Sequence, residues 1–225
     1  DDQLELEGTL TDPSTTYSLH HGANLVSYPF PVSNTLYGAF PEVVSENLGG
    51  IIGEGVAGSH LGGGVWVGSL SEIDPSAGYW LKVDADDELT VTGSPVDPYM
   101  NFELHSGQNL ISYPNSDNLE VTLAIPDEYE LGFIGIISEG VAASQIDSYT
   151  WVGSLTEFQG GKGYWVNLSE DIDNYWFNYG GCLDVDACNY DENADFDNGS
   201  CEFPVDGCDC GIDCQFIEIL YDSDY

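Results

Sequence analysis

The strongest constraint on the fold is an internal duplication, because the sequence matches itself when it is shifted by 85 residues. The shift aligns residues 19–29 (LHHGANLVSYP) with 104–114 (LHSGQNLISYP), and 51–59 with 136–144. It also superimposes the two WVGSL segments and the two GYW segments. Self-similarity at a fixed period marks a repeated structural unit, so we expect two copies of one fold.

The pattern within each copy is typical of β-strands. Short apolar runs at 24–28 and 109–113 end at Pro29 and Pro114, and proline is poorly tolerated inside a sheet. The segments IIGEGVA, VWVGSL and GYWLKV predict three further strands separated by glycine-rich turns. These connections are too short for crossover helices, so antiparallel pairing is expected.

The sequence therefore predicts a mainly β protein with two tandem homologous β-rich domains and a small disulfide-rich module. Each domain is expected to contain sandwich-like antiparallel sheets and a short helical or irregular insertion, at 33–47 and 118–131, where the copies differ most. The predicted segments are an N-terminal lead or strand at 1–16, repeats at 17–98 and 99–180, a Cys- and Asp-rich module at 181–214 and a C-terminal strand at 215–225.

All the cysteines lie in the C-terminal module: Cys182, Cys188, Cys201, Cys208, Cys210 and Cys214. An even number of cysteines in so short a segment predicts three disulfides, because the segment cannot bury enough core to hold itself together. Zinc is the competing interpretation, but the spacing lacks paired C-x2-C knuckles and the module contains no histidine. The disulfide framework predicts an extracellular or cell-surface location.

Charge excludes two classes of partner. The chain has 40 acidic residues against only Lys82 and Lys162, for a formal net charge of -38. A surface of this charge repels nucleic-acid phosphates and disfavours anionic membranes. No apolar stretch approaches the roughly 20 residues of a membrane-spanning helix. The charge instead predicts a need for counter-ions, whether bulk salt or bound divalent cations.

A calcium site is one interpretation of the acids in the module. Oxygen-bearing side chains alternate and are followed by a glutamate: Asp191, Asn193, Asp195, Asp197 and Glu202. The spacing is close to that of an EF-hand loop, but Phe196 occupies the position where such a loop needs glycine. The competing interpretation is a disulfide-held loop whose acids are simply solvated.

Aromatic residues recur at the same positions of both copies, among them Tyr79, Trp80, Tyr164 and Trp165. Aromatics repeated in a duplicated fold are expected mainly in its core. Strand alternation directs only one residue of each Tyr-Trp pair inward, which leaves the other as a candidate contact for a sugar ring or a protein partner.

The sequence gives little basis for catalysis, and we expect no enzyme. The G-x-G-x-x-G at 53–58 is not repeated at 138–143, no helix pattern follows it and no basic residue lies nearby, so its glycines predict turns or bulges. No G-x-S-x-G occurs, and His20 and His105 share a repeat position before a turn.

The module segment 182–201 (CLDVDACNYDENADFDNGSC) resembles a GC-D-ACNYD-A-DGSC motif of secreted and surface proteins of marine bacteria. The repeats are similar, more loosely, to G-x-N-x-I-S, W-x-G-S-L and G-Y-W repeats in secreted proteins of marine Bacteroidetes-like bacteria. Both resemblances imply an extracellular, surface-associated setting, and neither implies a reaction.

Two functional hypotheses follow. The first is an extracellular structural or adhesive surface protein, a cation-dependent subunit of a filament or larger assembly, whose partners are other protein subunits or copies of itself. The tail at 215–221 alternates like a strand and could complete a sheet of its own chain or of a neighbour. The second hypothesis is a glycan-binding module of a larger secreted enzyme.

Overall fold

The chain is mainly β, with antiparallel sheets, in a computed structural model that describes residues 14–28, 33–40, 46–92 and 96–204. It forms two compact units, Asp1–Phe177 and Asn178–Tyr225. Among the described residues, no helix is both long enough and apolar enough to cross a membrane.

The first repeat has a five-stranded antiparallel sheet at its centre. Its elements in the described residues are β1 (Ser14–Leu19), β2 (Gly22–Ser27), β3 (Asn34–Thr35), α1 (Leu36–Ala39), β4 (Leu48–Gly53), β5 (Val56–His60), β6 (Trp66–Gly68), β7 (Glu72–Ile73), β8 (Gly78–Val83) and β9 (Asp87–Thr92). The sheet order is β2-β8-β4-β5-β6, while β1 pairs with β9 and β3 with β7.

The second repeat has the same topology. Its elements are β10 (Phe102–Leu104), β11 (Gly107–Ser112), β12 (Leu119–Glu120), α2 (Val121–Ala124), α3 (Asp127–Glu130), β13 (Phe133–Ser138), β14 (Val141–Asp147), β15 (Thr150–Gly153), β16 (Glu157–Phe158), β17 (Gly163–Leu168) and β18 (Ile172–Tyr175). The sheet order is β11-β17-β13-β14-β15, while β10 pairs with β18 and β12 with β16.

The strand registers of the two sheets also match after the 85-residue shift. Gly22 lies opposite Val83 in the first sheet, and Gly107 lies opposite Leu168 in the second. Antiparallel pairing is confirmed in both copies. That the repeats are separate domains stays a prediction, since both lie within the first compact unit.

One strand prediction is wrong. The segment IIGEGVA, expected to be a single strand, is a hairpin whose turn follows Gly53 and contains Glu54 and Gly55. Gly55 has φ 69° and its counterpart Gly140 has φ 73°, a left-handed conformation that glycine adopts without the steric cost of a side chain. Gly55 is therefore a turn residue, as the sequence predicted, whereas Gly53 and Gly58 of the same motif lie in β4 and β5.

Short helices occupy the insertions. Helix α1 begins after Thr35, whose hydroxyl accepts a hydrogen bond from the backbone N–H of Gly38. In the second repeat α2 ends at Ala124, because Pro126 favours an extended backbone at the residue before it, and Ile125 has φ −94° and ψ 120°.

Each repeat has its own hydrophobic core. In the first, Ile51 and Leu81 alternate with outward-facing neighbours and are almost fully buried. The second core is more aromatic: Phe158 and Phe177 make edge-on contacts, and both rings are fully buried. Such contacts contribute about 0.5–1.5 kcal/mol each beyond the burial of their area.

The two repeats contact each other through reciprocal backbone bonds. The Ser27 N–H donates to the carbonyl of Gly161 over 3.0 Å, and the equivalent Ser112 N–H donates to Ser76 over 3.0 Å. Val26 pairs with Lys162 in the same way that Ile111 pairs with Ala77. Each contact occurs twice with the roles exchanged, which is the pattern of an isologous dimer.

The glycine of each GYW segment lies where the repeats approach most closely. A Cβ added to Gly78 would lie 2.7 Å from the carbonyl oxygen of Ile111, and one added to Gly163 would lie 2.8 Å from that of Val26. Both glycines are therefore required by close backbone approach and not by φ.

The second unit is held by a short parallel pair and a disulfide. Strand β19 (Gly180–Gly181) pairs with β20 (Phe196–Asp197), and Cys182 is bonded to Cys201. Cys188 is also disulfide-bonded. Cys208, Cys210, Cys214 and the predicted C-terminal strand at 215–225 lie outside the described residues, as does most of the predicted lead at 1–16, where β1 begins at Ser14.

Replacing either contact glycine tests the reciprocal interface. We expect Gly78→Ala and Gly163→Ala each to lower the free energy of unfolding by about 1–3 kcal/mol, because the new methyl group meets backbone that cannot move independently. Urea denaturation of the full chain measures the change. Gly49→Ala is the control, since its added Cβ would lie at an ordinary 3.4 Å from the nearest side chain. An equal loss in the control would contradict the interface explanation.

Candidate functional site

The aromatic pairs of the GYW segments separate as strand alternation requires. Tyr79 and Tyr164 point into the cores and are only 4% and 2% exposed. Their hydroxyls accept hydrogen bonds from the backbone N–H groups of Asp74 and Gln159, each over 2.7 Å. Burial raises the pKa of Tyr79. The tyrosines are therefore core residues, and Trp80 and Trp165 remain as candidate contacts.

Trp80 and Trp165 lie on the opposite side of their sheets, half-buried. In the first repeat Trp80 is opposite Ile52, which is 52% exposed, and in the second Trp165 is opposite Ile137, which is 49% exposed. Val67 and Val152 lie further along the same side. We call the sides of the two sheets that carry Trp80 and Trp165 the outer faces.

The outer faces differ from the rest of this acidic chain. Apart from Leu25 and Leu110, which lie opposite Trp80 and Trp165 and are buried, register places these residues on them: Ala23, Gly50, Ile52, Ala57, Ser59, Val67, Trp80 and Lys82 in the first repeat, and Gln108, Gly135, Ile137, Ala142, Ser144, Asp147, Thr150, Val152, Trp165 and Asn167 in the second. Asp147, opposite Thr150 at the end of β14, is the one acid among these positions, although the chain has 40 acidic residues. The two faces are thus mixed apolar and polar surfaces that carry one lysine and one acid among these positions.

A second group of residues lies where the repeats meet. Glu139, in the turn of the β13–β14 hairpin, accepts a hydrogen bond from the Leu25 N–H over 3.1 Å and contacts the His20 ring at Nε2. The reciprocal Glu54 accepts from the Leu110 N–H over 2.9 Å and lies 2.8 Å from Nε2 of His105. Each hairpin turn thus supplies a carboxylate to an edge strand of the other repeat.

Electrostatics favour the charged form of both histidines. The Glu139 carboxylate, followed by the carbonyl of His21, raises the pKa of His20, and the Asp86 charge adds to the shift. The carbonyl of Ser106 and then Glu54 raise the pKa of His105, and Asp171 adds to it. Both rings are exposed, so these are solvent-screened contacts.

The contact at Glu139 borders a cleft of about 380 Å³ between the repeats. His20 and Asn24 line one side of it, and the other side comes from the second repeat. That side carries Ser154, Thr156, Glu157, Gln159 and Lys162 together with Val141. The cleft is thus largely polar and contains one of the two lysines of the chain.

The two glutamates are the residues that reasoning from sequence missed. The signal was present, because Glu54 and Glu139 are aligned by the duplication and each precedes a glycine. The pattern of the segment predicts a strand, and a glutamate within a strand does not indicate a contact with a neighbouring repeat. An acid retained at a hairpin turn does indicate such a contact.

The predicted calcium ligands do not converge in the described part of the second unit, where no group of three or more acidic, His or Cys side chains could hold a metal ion. Asp191 Oδ1 accepts from the Asn193 N–H over 3.0 Å, and Asp195 accepts from Tyr179 over 2.8 Å. Asp197 accepts from Gly199 over 2.9 Å. The N–H of Glu202 donates to the Asn189 side chain, and its carbonyl accepts from Cys188. Calcium binding stays a prediction.

No family model matches the chain, and comparisons with curated proteins and with solved structures find no match either.

The reciprocal histidines should make stability depend on pH. Because the folded pKa of each is raised above the unfolded value of about 6.5, their stabilising contribution is complete below that pH and is lost as pH rises through the folded pKa. The melting temperature of the wild type should exceed that of the His20→Gln/His105→Gln variant at pH 6, and the difference should shrink by pH 9. His21→Gln is the control, because its ring contacts no glutamate among the described residues. A difference that does not change with pH would contradict the role of the histidines.

Proposed function

We propose that the chain is an extracellular structural or adhesive surface protein and a subunit of a filament or larger assembly, whose partners are other protein subunits or copies of itself. The observation that carries the proposal is the scarcity of acids on the outer faces, where Asp147, at the end of β14, is the one acid among the positions that register places there. Burying a carboxylate without a partner is costly, so a surface that is to be covered by another protein excludes such groups.

The paired repeats support the proposal. An assembly subunit needs contact surfaces that are fixed relative to each other. The reciprocal backbone hydrogen bonds near Gly78 and Gly163 fix the two repeats, and with them the two outer faces. Disulfide bonding in the second unit is consistent with an oxidising, extracellular compartment. The resemblance to surface proteins of marine bacteria points the same way.

The alternative is a glycan-binding module of a larger secreted enzyme. The observation in its favour is that Trp80 and Trp165 are half-buried on open sheet faces, each next to an exposed isoleucine. An indole ring held in this way can stack on the apolar C–H face of a sugar. This alternative uses the same faces and requires no assembly.

Charge substitutions on the outer faces separate the two functions. We expect the wild type to form oligomers or filaments at high protein concentration, and Ile52→Glu and Ile137→Glu to stay monomeric, because each places a carboxylate in a desolvated contact. Sedimentation and electron microscopy measure assembly.

Leu131→Glu is the matched control, since Leu131 is more exposed than Ile52 but lies at the end of α3, outside the outer faces. A wild type that stays monomeric and binds glycans on an array, with binding lost in Trp80→Ala or Trp165→Ala, would replace the assembly function with the alternative.

Calcium dependence is proposed for the second unit and has its own test. If Asp191, Asn193, Asp195, Asp197 and Glu202 rearrange to bind calcium with the affinity usual for extracellular modules, a Kd of about 10⁻⁴–10⁻³ M, then 10 mM calcium should add about 1.4–2.7 kcal/mol of stability. Thermal melts of the full chain with and without calcium measure this gain. Asp191→Asn should abolish it, whereas Asp184→Asn, with the same charge change, should not. Equal melts with and without calcium would contradict the site.

A further inference from the structure

The cleft between the repeats is lined by several polar side chains, some bonded within the protein and some without a partner among the described residues. The Glu139 carboxylate is already bonded to the Leu25 N–H and His20, and Glu157 Oε1 accepts from the side chains of Asn118 and Gln159. The side chain of Asn24 donates to and accepts from the backbone of His20. Glu139 and Asn24 are therefore engaged by the protein itself, whereas Glu157 Oε2 and the side-chain oxygen of Gln159 have no partner among the described residues.

Several hydrogen-bond donors that line the cleft have no acceptor among the described residues. Lys162 forms no ion pair or side-chain hydrogen bond with any residue that the structure describes, although the chain is strongly acidic. The hydroxyl of Thr156 is likewise without a partner in the described part of the chain. Ser154 accepts from the Ala142 N–H over 3.2 Å, which leaves its own proton to donate. The cleft thus offers an ammonium group and two hydroxyl donors.

The first repeat does not reproduce this arrangement. The 85-residue shift places Ala77 at the position of Lys162 and Asp74 at that of Gln159. Asp74 is a carboxylate engaged by Ser33 and Ser76. The equivalent place in the first repeat therefore lacks the cation and gains an acid, so an anion would be accepted in one cleft only.

We propose that the cleft binds one uronate residue, with the Lys162 ammonium pairing with the sugar carboxylate and Ser154 and Thr156 donating to its oxygens. A volume of about 380 Å³ suits a single sugar residue, and Val141 supplies apolar surface for a C–H face. A sugar suits the cleft because its hydroxyls can accept from Ser154 and Thr156 and donate to the free oxygens of Glu157 and Gln159. An acidic sugar also supplies the anionic partner that Lys162 lacks among the described residues. This inference does not depend on the outer faces or on assembly.

Isothermal titration of the full chain tests the proposal, with sodium glucuronate as the probe and glucose as its neutral match. We expect a stoichiometry of one per chain and affinity for glucuronate at least about tenfold higher than for glucose, because a charge-assisted bond is lost with the carboxylate. Glucuronate affinity equal to that of glucose or of acetate would overturn the proposal. So would a stoichiometry of two.

The two lysines provide a matched pair of variants. Lys162→Gln should weaken glucuronate binding about tenfold, whereas Lys82→Gln removes the same charge from an outer face and should leave binding unchanged. Thr156→Val tests a donor without changing charge and should weaken binding as well. Binding that falls equally in both lysine variants would reflect net charge alone and would overturn the site.

A trimer of uronate residues identifies the source of the ligand. Tighter binding of the trimer than of the monomer supports a residue within a polysaccharide, and equal affinity supports the free sugar acid. Loss of assembly in Ile52→Glu with uronate binding intact would show that assembly and uronate binding use different surfaces. Failure of one proposal would then not contradict the other.

Discussion

The close approach of the two repeats at Gly78 and Gly163 is the contact on which the rest of the first unit depends. With no Cβ on either residue, the backbone of each repeat comes within bonding distance of the other, and Ser27 and Ser112 donate across the boundary. Leu25 and Leu110 are buried residues of the edge strands β2 and β11, and their N–H groups lie beyond the reach of strand pairing. Glu139 and Glu54 satisfy them. A buried donor without an acceptor costs about 1–3 kcal/mol. The close approach at the two glycines therefore creates a need for acceptors, which the two glutamates meet.

The same contact explains why the faces of the sheets differ in chemistry. The inner sides pack against the cores, and the β2 and β11 edges are covered by the opposite repeat, which leaves the outer faces and the far edges as surfaces on which a partner could lie. The 40 acids of the chain lie mostly elsewhere and keep it soluble, so outer faces with few charges need not cause general aggregation. Duplication then presents two such faces in a fixed relation.

Reasoning from sequence recovers the parts of this structure that the duplication encodes locally. Strand pairing, the inward direction of one residue in each Tyr-Trp pair and the turn role of Gly55 all follow from short-range pattern, whereas the structure decides that the inward residues are Tyr79 and Tyr164. The cleft does not, because its lining comes from two copies and sequence offers no measure of how the copies meet. The hairpin around Glu54 is not predicted for a related reason. An apolar run broken by glycines has the same pattern whether the chain continues as one strand or reverses direction in a hairpin. The predicted ligands at Asp191 to Glu202 matched in spacing, yet spacing does not decide whether carboxylates face a cation or bond to neighbouring amides.

The difference between the two copies also bears on function. Residues that hold the repeats together are the same in both, as with His20 and His105 or Glu54 and Glu139, because a reciprocal interface needs each of them twice. Residues that do not hold the repeats together can differ between the copies. One such position is Lys162 in the second repeat, which is aligned with Ala77 in the first. In a duplicated protein the symmetric positions therefore mark the scaffold, and the asymmetric ones are where a specific ligand can be recognised. The cleft beside Lys162 combines both, since a retained contact forms its wall and a residue found in only one copy supplies its charge.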